Sequence, residues 1–277
     1  MPTFETPEAI TATLEFEMGS LWITAGKRLD TVVEVRPTTD DKKDVLAAEQ
    51  TKVSCSGGRL TVTGPNKRSL FGKSASVDIT VELPAGSEIR CKSPMVNVTV
   101  EGDVADCRIQ TGMGDIQVEN AASAHLKTGH GDIRVASVAG DAEIRGSGRV
   151  QVGRIGGGAT VKNSNGESTI DEVVGELRVG SSNGAVVVGL AHDSVEAKSA
   201  NGSVRIGEVV RGKVTLRTSA GNIGVGIREA TAAWLDVHTG AGAVRNSLGP
   251  SDGPGASENT VEVRAHTAAG DIEIHRA

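Results

Sequence analysis

Hydrophobic and polar residues alternate in short runs that return at a nearly fixed interval along much of the chain. Residues 111–118, TGMGDIQV, are almost repeated at residues 128–135 as TGHGDIRV. In each run a glycine precedes two apolar residues, two and four positions later, which is the spacing of one face of a β-strand. We call these positions the ruler glycines: Gly114, Gly131, Gly148, Gly166, Gly184, Gly202, Gly221, Gly242 and Gly270.

The interval between ruler glycines fixes the size of the repeat. Successive ruler glycines are 17, 17, 18, 18, 18, 19, 21 and 28 residues apart, and only Ser168 and Asn246 interrupt the apolar pairs that follow them. A second apolar pair lies seven and five residues before the glycine, as at Cys107 and Ile109, and shifts by one to Ala142 and Ile144 before Gly148. Each repeat therefore predicts two short strands with one buried face each.

A polar residue opens the turn between the two strands. Glycine adopts a positive φ at no steric cost, and a leading Thr, Ser or Asn can hydrogen-bond the turn backbone. We expect this role, rather than an ice-binding row, for the corner column, which consists of Thr111, Thr128, Asn163, Ser181, Ser199, Thr218, Thr239 and Thr267. Asn165, Asn183 and Asn201 predict a stacked amide ladder that locks the register.

A repeat of this length cannot bury its apolar face alone, but stacked repeats form a continuous core. The sequence therefore predicts an all-β fold, a single elongated β-solenoid, with repeats over residues 91–277. Residues 1–90 are less regular and are interpreted as a β-rich N-terminal cap continuous with the solenoid, in one structural domain overall. Residues 40–50, DDKKDVLAAEQ, predict the one short helix, with acidic residues in its first turn.

Composition and charge narrow the function classes. The chain has five aromatic residues (three Phe and two Trp), which leaves little surface for stacking on sugars or bases, and its net charge of −6 comes from interspersed charges of both signs. Both features argue against nucleic-acid binding. The first residues lack the pattern of a secretory signal, and no apolar run is long enough for a membrane span, so we expect a cytoplasmic protein. Cys55, Cys91 and Cys107 have no metal-site spacing and are expected to be buried, reduced thiols.

Two glycine-rich stretches resemble phosphate-binding loops only superficially. GKS at residues 72–74 lacks the first glycine of a phosphate loop and precedes a strand, and GRIGGG at residues 153–158 joins two predicted strands without opening a helix. Structural turns are the better interpretation. No cofactor is predicted.

Carboxylates and histidines near the corners were considered as metal ligands. Asp115, Asp132 and Asp271 follow ruler glycines as in calcium-binding solenoids, but other repeats carry Arg, Glu, Ala, Ser or Asn at this position, so no carboxylate ladder is formed. His125 and His130 could meet Asp132 at one corner, but nothing supplies a further ligand. The sequence therefore assigns no catalytic, cofactor-binding or metal-binding residue.

Several elements together carry a family resemblance. LPAGSEI at residues 83–89, the repeated TxxGDIxV, GIREATAAWLDV at residues 226–237 and the closing TAAGDIEI are similar to those of the bacterial putative-adhesin family of β-strand-repeat proteins, a domain of unknown function. The resemblance covers nearly the whole chain. It implies a solenoid fold and supplies no catalytic residue.

The leading hypothesis is a non-enzymatic structural or protein-interaction module that presents a polar face or its edges to a protein partner. One alternative is a cytoplasmic scaffold that self-assembles through the ends of the solenoid, which need capping against such growth. An alternative of a different class is an enzyme acting on a carbohydrate or a small ligand, which would need paired carboxylates in an aromatic-lined groove. The Gly, Ser and Pro-rich loop at residues 247–259 is a further place where a partner could bind.

Overall fold

The chain is an all-β solenoid in a computed structural model that describes residues 1–65, 75–249 and 259–277. Strands account for 70% of the described residues. The helix α1 covers Lys42–Gln50, where the sequence predicts it. In these described ranges, no helix combines the length and the apolar composition that a membrane crossing requires. The predicted β-solenoid is therefore confirmed.

The chain divides into two compact units, Met1–Ser137 and Val138–Ala277. The division at residue 90 that the sequence favours stays a prediction. The strands of the N-terminal unit are β1 (Thr3–Glu5), β2 (Thr11–Glu15), β3 (Met18–Gly26), β4 (Asp30–Pro37), β5 (Lys52–Ser56), β6 (Arg59–Thr63), β7 (Val77–Pro84), β8 (Glu88–Met113) and β9 (Ile116–His130).

In the N-terminal unit, the first coil of the chain lies inside the stack. Strand β2 pairs in parallel with β6 on one side and with β8 on the other, and β3 lies in the same way between β7 and β8. Strands β6 and β7 therefore form the N-terminal outer coil. Four alternating residues of β7, Val77, Ile79, Val81 and Leu83, share one face and are all buried.

Antiparallel strands cover the N-terminal outer coil. Strand β5 pairs with β6 and β4 pairs with β7, while β1 pairs with the other edge of β4. Gly58 lies in the turn of the β5–β6 hairpin, with φ of 69°. This pairing uses the strand edges that would otherwise be open to another chain.

Helix α1 is attached beside this antiparallel cover through a buried carboxylate. Asp44 accepts hydrogen bonds from the Thr39 hydroxyl at 2.6 Å and from the Ser76 N–H at 2.9 Å. These donors, the Thr39 hydroxyl first, lower the pKa of Asp44 below its ordinary value. Asp41 is the N-cap residue, and its side chain makes no capping hydrogen bond.

The C-terminal unit contains the most regular repeats, and strand β10 (Ile133–Val138) reaches its first residue. Its other strands are β11 (Ala142–Gly146), β12 (Val150–Ile155), β13 (Ala159–Asn165), β14 (Ser168–Val173), β15 (Leu177–Asn183), β16 (Val186–Ala191), β17 (Val195–Asn201), β18 (Val204–Val209), β19 (Gly212–Ala220), β20 (Ile223–Ile227), β21 (Ala232–Ala241), β22 (Val244–Asn246), β23 (Thr260–Ala269) and β24 (Ile272–Arg276).

Odd and even strands of this unit build two parallel ladders. Strands β11, β13, β15, β17 and β19 pair successively in register, and β12, β14, β16, β18 and β20 do the same. Equivalent residues of successive repeats are therefore neighbours, so that Val161 lies beside Val179, and Val179 beside Ala197. Their inward side chains are buried and form the core.

At the end of this stack, the order of the coils in space differs from their order in the sequence. Strand β23 lies between β19 and β21, and β24 lies between β20 and β22. The last coil of the chain is therefore interior, and β21 with β22 forms the C-terminal outer coil. Its two residues at the apolar positions after a ruler glycine, Val244 and Asn246, are exposed, whereas the other sixteen such residues are buried.

The ruler glycines have two physical reasons to be glycine. All of them except Gly148 have φ between 85° and 154°, as the turn prediction requires. In addition, a Cβ atom on Gly184 would lie 2.0 Å from the carbonyl oxygen of Gly166 in the adjacent coil, and one on Gly202 would lie 2.2 Å from that of Gly184. This close stacking of backbones, which the sequence analysis did not anticipate, excludes any side chain.

Candidate functional site

The outward side chains that immediately precede the corner column form a row of cations in the C-terminal unit. Because side chains alternate between the two faces of a strand, these residues point away from the core that their buried neighbours fill. The strand register aligns them in the order Arg145, Lys162, Gly180, Lys198 and Arg217. We call Arg145, Lys162, Lys198 and Arg217 the basic column.

The basic column is exposed and only partly neutralised. Arg145 pairs with Glu143 on its own strand at 2.6 Å, and Lys198 pairs with Glu196 in the same way. Lys162 and Arg217 form no ion pair with any described residue. Half of the column is therefore available to an external anion, and the paired half is held by exposed ion pairs that are individually weak.

The lowered pKa of Glu196 reflects the cations around it. A hydrogen bond from Lys198 and its charge lower the pKa of Glu196, and the charges of Arg178 and Arg217 act in the same direction. Arg178 is on β15 and Arg217 on β19, so cations flank Glu196 from both neighbouring strands. This face is locally cationic although the whole chain has a net charge of −6.

The basic column was not predicted, although the sequence contains its signal. Lys162, Lys198 and Arg217 each stand just before a corner position, whereas Arg145 joins the column through the one-residue shift of its repeat. Aligning the repeats on their ruler glycines, with the one-residue shift before Gly148 taken into account, and comparing only the outward positions would have found it.

The corner column makes the backbone hydrogen bonds that its composition predicts. Thr128 donates to the Gly114 carbonyl at 2.9 Å, and Thr218 donates to the Gly202 carbonyl at the same distance. In each case the acceptor is the ruler glycine of the adjacent coil. Asn163, Ser199, Thr239 and Thr267 do the same. The column therefore fastens successive coils together, and the structural interpretation of it is confirmed.

One corner differs from the others because two polar residues are buried together. The amide nitrogen of Asn163 lies 3.1 Å from the Ser168 hydroxyl, and Ser168 occupies a position where other repeats have Val or Ile. Among the described residues, the Asn163 Oδ1 is the one buried side-chain polar atom without a hydrogen-bond partner. Ser168 is thus polar at an otherwise apolar position, where its hydroxyl accepts a hydrogen bond from the Asn163 amide.

The predicted amide ladder is also present. The side chain of Asn183 donates to Asn165 at 3.2 Å, and that of Asn201 donates to Asn183 at 3.0 Å.

Two of the three aspartates that the sequence offers as calcium ligands bind backbone instead. Asp115 Oδ1 accepts a hydrogen bond from the Asp132 N–H at 2.8 Å, and Asp271 Oδ1 accepts one from the Ala243 N–H at 2.8 Å. The hydrogen bond from Ala243 lowers the pKa of Asp271, and Arg245 adds to this effect. These carboxylates satisfy N–H groups at the turns of the adjacent coil, as Asn222 does for Asp271 at 2.9 Å.

The other candidate residues do not converge on a site. His125 lies 3.7 Å from Asp106 on the neighbouring strand and points away from the core, whereas His130 is at a corner. In the part of the chain that the structure describes, no three His, Cys, Asp or Glu residues are grouped to hold a metal ion. The GRIGGG stretch forms the end of β12 and the turn to β13, as predicted, and GKS at residues 72–74 lies outside the described residues.

The three cysteines are free. Cys91 and Cys107 are buried as predicted, and burial raises the pKa of both thiols to about 12, whereas Cys55 is half-buried.

The C-terminal outer coil presents the second notable surface. Trp234 and Val244 are 56% and 43% exposed, and Leu235 and Val237, at core positions, are half-buried. On the outward face of β21, the Trp234 ring lies 6.0 Å from the Arg264 guanidinium and the rings of His238 and His266 are 4.9 Å apart. The core thus ends at this coil with part of its apolar surface uncovered by described residues.

One family model and several solved structures are similar to this chain. A family model described as Toastrack DUF4097 matches residues 14–277. A putative adhesin from Bacteroides fragilis is 10% identical, with 99% of this chain and 95% of that chain covered and a TM-score of 0.41. A putative cell adhesion protein from Clostridium sporogenes is 13% identical, with 100% and 98% covered and a TM-score of 0.25. Among curated proteins, none matches the chain.

Proposed function

The chain belongs to the Toastrack DUF4097 family, and on this premise we propose that it is a non-enzymatic interaction module that binds an acidic segment of another protein. The observation that carries the proposal is the basic column, in which strand register aligns Arg145, Lys162, Lys198 and Arg217 on one exposed face. The binding surface is the outward face of β11, β13, β15, β17 and β19.

The scaffold supports binding because it holds the cations in place before a partner arrives. The strands are fastened by backbone ladders and by the corner column, so binding does not have to pay for ordering the backbone. Lys162 and Arg217, which have no ion-pair partner among the described residues, can meet the carboxylates of a partner without first breaking an ion pair.

The arrangement favours an acidic protein segment over a nucleic acid. Glu143 and Glu196 lie beside Arg145 and Lys198 and form ion pairs with them. Fixed acidic groups at these positions repel the closely spaced phosphates of a nucleic acid. The side chains of a flexible acidic peptide can instead contact Lys162 and Arg217, the two cations without an ion-pair partner among the described residues.

The proposal is tested with a fluorescein-labelled peptide of ten glutamates and fluorescence anisotropy at low and at physiological ionic strength. The double variant Lys162→Glu with Arg217→Glu is expected to bind at least about tenfold more weakly than the wild type, a loss of ~1.4 kcal/mol. The matched control is Arg154→Glu with Arg205→Glu, which changes the net charge equally on the β12 and β18 strands of the other ladder. It should retain affinity within about twofold.

Binding should weaken as salt rises, because exposed charges are screened. If the wild type does not bind the peptide at low salt, or if both double variants lose affinity equally, the basic column is not the binding surface.

A further inference from the structure

Strand β21 has a backbone edge with which no described strand pairs. The Ala232 N–H donates to the Asn259 carbonyl at 2.9 Å, on the side of β23. Because backbone groups of successive residues point to opposite edges of a strand, those of Ala233, Leu235, Val237 and Thr239 point away from β23. We call this side of β21 the open edge.

The open edge adjoins uncovered apolar surface. Leu235 and Val237 are half-buried, although the equivalent Val263 and Ala265 of β23, one coil further in, are fully buried. An unpaired edge beside apolar side chains is a template for a further strand. An added strand would satisfy the backbone groups and cover these side chains together.

We propose that the open edge binds the open edge of a second copy of this chain, as an antiparallel β21–β21 pair related by a two-fold axis. In antiparallel pairs, directly opposite residues lie on the same face, and opposite charges there stabilise while like charges destabilise. With Val237 on the axis, Asp236 lies opposite His238 of the partner subunit, and Leu235 lies opposite Thr239 of the partner subunit.

The charges select this register. With Val237 on the axis, the open-edge residues form the hydrogen-bonded pairs, and Asp236 falls in the closer, non-hydrogen-bonded type of pair, with Cα atoms about 4.5 Å apart. If the axis moves by one residue, to position 236 or 238, the residue on the axis faces the same residue of the partner subunit, so that Asp236 faces Asp236 or His238 faces His238. Only the Val237 register, among these three, gives two acid–imidazole pairs.

The symmetry predicts a closed dimer rather than a filament. A two-fold interface uses the same patch on both subunits and leaves none for a third. The N-terminal outer coil offers no equivalent edge, because β4 and β5 already pair with it. The inference is independent of the basic column and does not rest on the proposed function.

The test is sedimentation velocity over a range of protein concentrations at about pH 6. The wild type should form a reversible dimer. Asp236→Lys places a cation opposite His238 of the partner subunit, and His238→Asp places two acids opposite each other. Each variant alone should dissociate at least about tenfold more readily.

A mixture of the two variants is the decisive experiment. In the mixed dimer, the lysine at position 236 of one subunit faces the aspartate at position 238 of the other, and His238 faces Asp236, so both pairs are complementary again. The mixture should therefore dimerise where each variant alone does not. Asp171→Lys, with the same charge change on the interior strand β14, is the matched control and should dimerise like the wild type.

Circular dichroism of each variant confirms that it is folded before it is compared. A wild type that stays monomeric, a wild type that grows into larger species with concentration, or a mixture of folded variants that fails to dimerise would each overturn the proposal.

Discussion

The N-terminal and C-terminal outer coils are built from the same kind of repeat but end in different ways. In the N-terminal unit, β4 and β5 pair antiparallel with the outer coil, and Leu60 and Val62 of β6 are fully buried. In the C-terminal unit, no described strand lies beyond β21, and Leu235 is half-buried. The repeat alone does not decide whether its last coil is covered. The segments outside the repeat do.

The largest expected contrast comes from making the same substitution in both outer coils. Leu60→Ala should lower the free energy of unfolding of the N-terminal unit by about 2–5 kcal/mol, because it leaves a cavity in a fully buried site. Leu235→Ala should cost about 1 kcal/mol or less, because its side chain is already partly in water.

Each unit contains one tryptophan, so urea denaturation can be followed separately in each. Trp22 lies on β3 and Trp234 on β21. The Leu60 series is measured in a Trp234→Phe background and the Leu235 series in a Trp22→Phe background. Equal losses in the two units would show that the C-terminal outer coil is covered as well as the N-terminal one.

A smaller effect is expected from the carboxylate that attaches α1 beside the N-terminal cover. Asp44→Ala should destabilise the N-terminal unit by about 2 kcal/mol, because hydrogen bonds to a buried charged group are lost. Asp41→Ala is the matched control, since its side chain makes no capping hydrogen bond and is expected to cost about 0.5 kcal/mol or less.

Acidification tests the same attachment. The pKa of Asp44 is lowered from an ordinary value of 3.8, so its carboxylate stabilises the folded state above that value, and this contribution is lost as the pH falls below it. The difference in urea midpoint between wild type and Asp44→Asn should therefore shrink between about pH 5 and about pH 3. A difference that stays constant would assign the effect to packing rather than to charge.

The smallest expected signal is local and concerns hydrogen exchange of the two outer coils. In the Asp236→Lys variant, the amides of Leu235, Val237 and Thr239 should exchange faster than those of Arg59–Thr63 in β6, which lies between two paired strands, because open-edge amides have no partner. In the wild type at high concentration, dimerisation should slow the same three amides. Protection in the monomeric variant would mean that the edge is not open.

Sequence periodicity was sufficient to predict the strands of the repeats, the corners and the solenoid, because buried positions follow the two-residue period and a ruler glycine marks one turn of each repeat. Even the exceptions were informative. Ser168 is polar because Asn163 lies beside it in the core, and Asn246 is polar because its coil is the outer one.

The order of the coils could not be predicted. Similar repeats present similar surfaces to their neighbours, so no local sequence feature predicts that β23 lies between β19 and β21. The antiparallel cover of β4 and β5 was also missed, since pairing between distant segments depends on the edges available in the folded unit. The basic column was visible in the sequence, but only when outward positions are compared between repeats.

The interior position of the last coil has a consequence for how the chain assembles. During synthesis, β21 and β22 emerge before β23 and β24, yet the place beside β19 and β20 belongs to the later pair. The earlier pair must leave that place vacant or be displaced from it. Asn246 of β22 stands where β24 has Ile274, and a polar side chain is costly to enclose without a partner. The Asn246 side chain thus makes β22 a less stable neighbour of β20 than β24 is. The last strands to be synthesised can therefore still occupy the interior position.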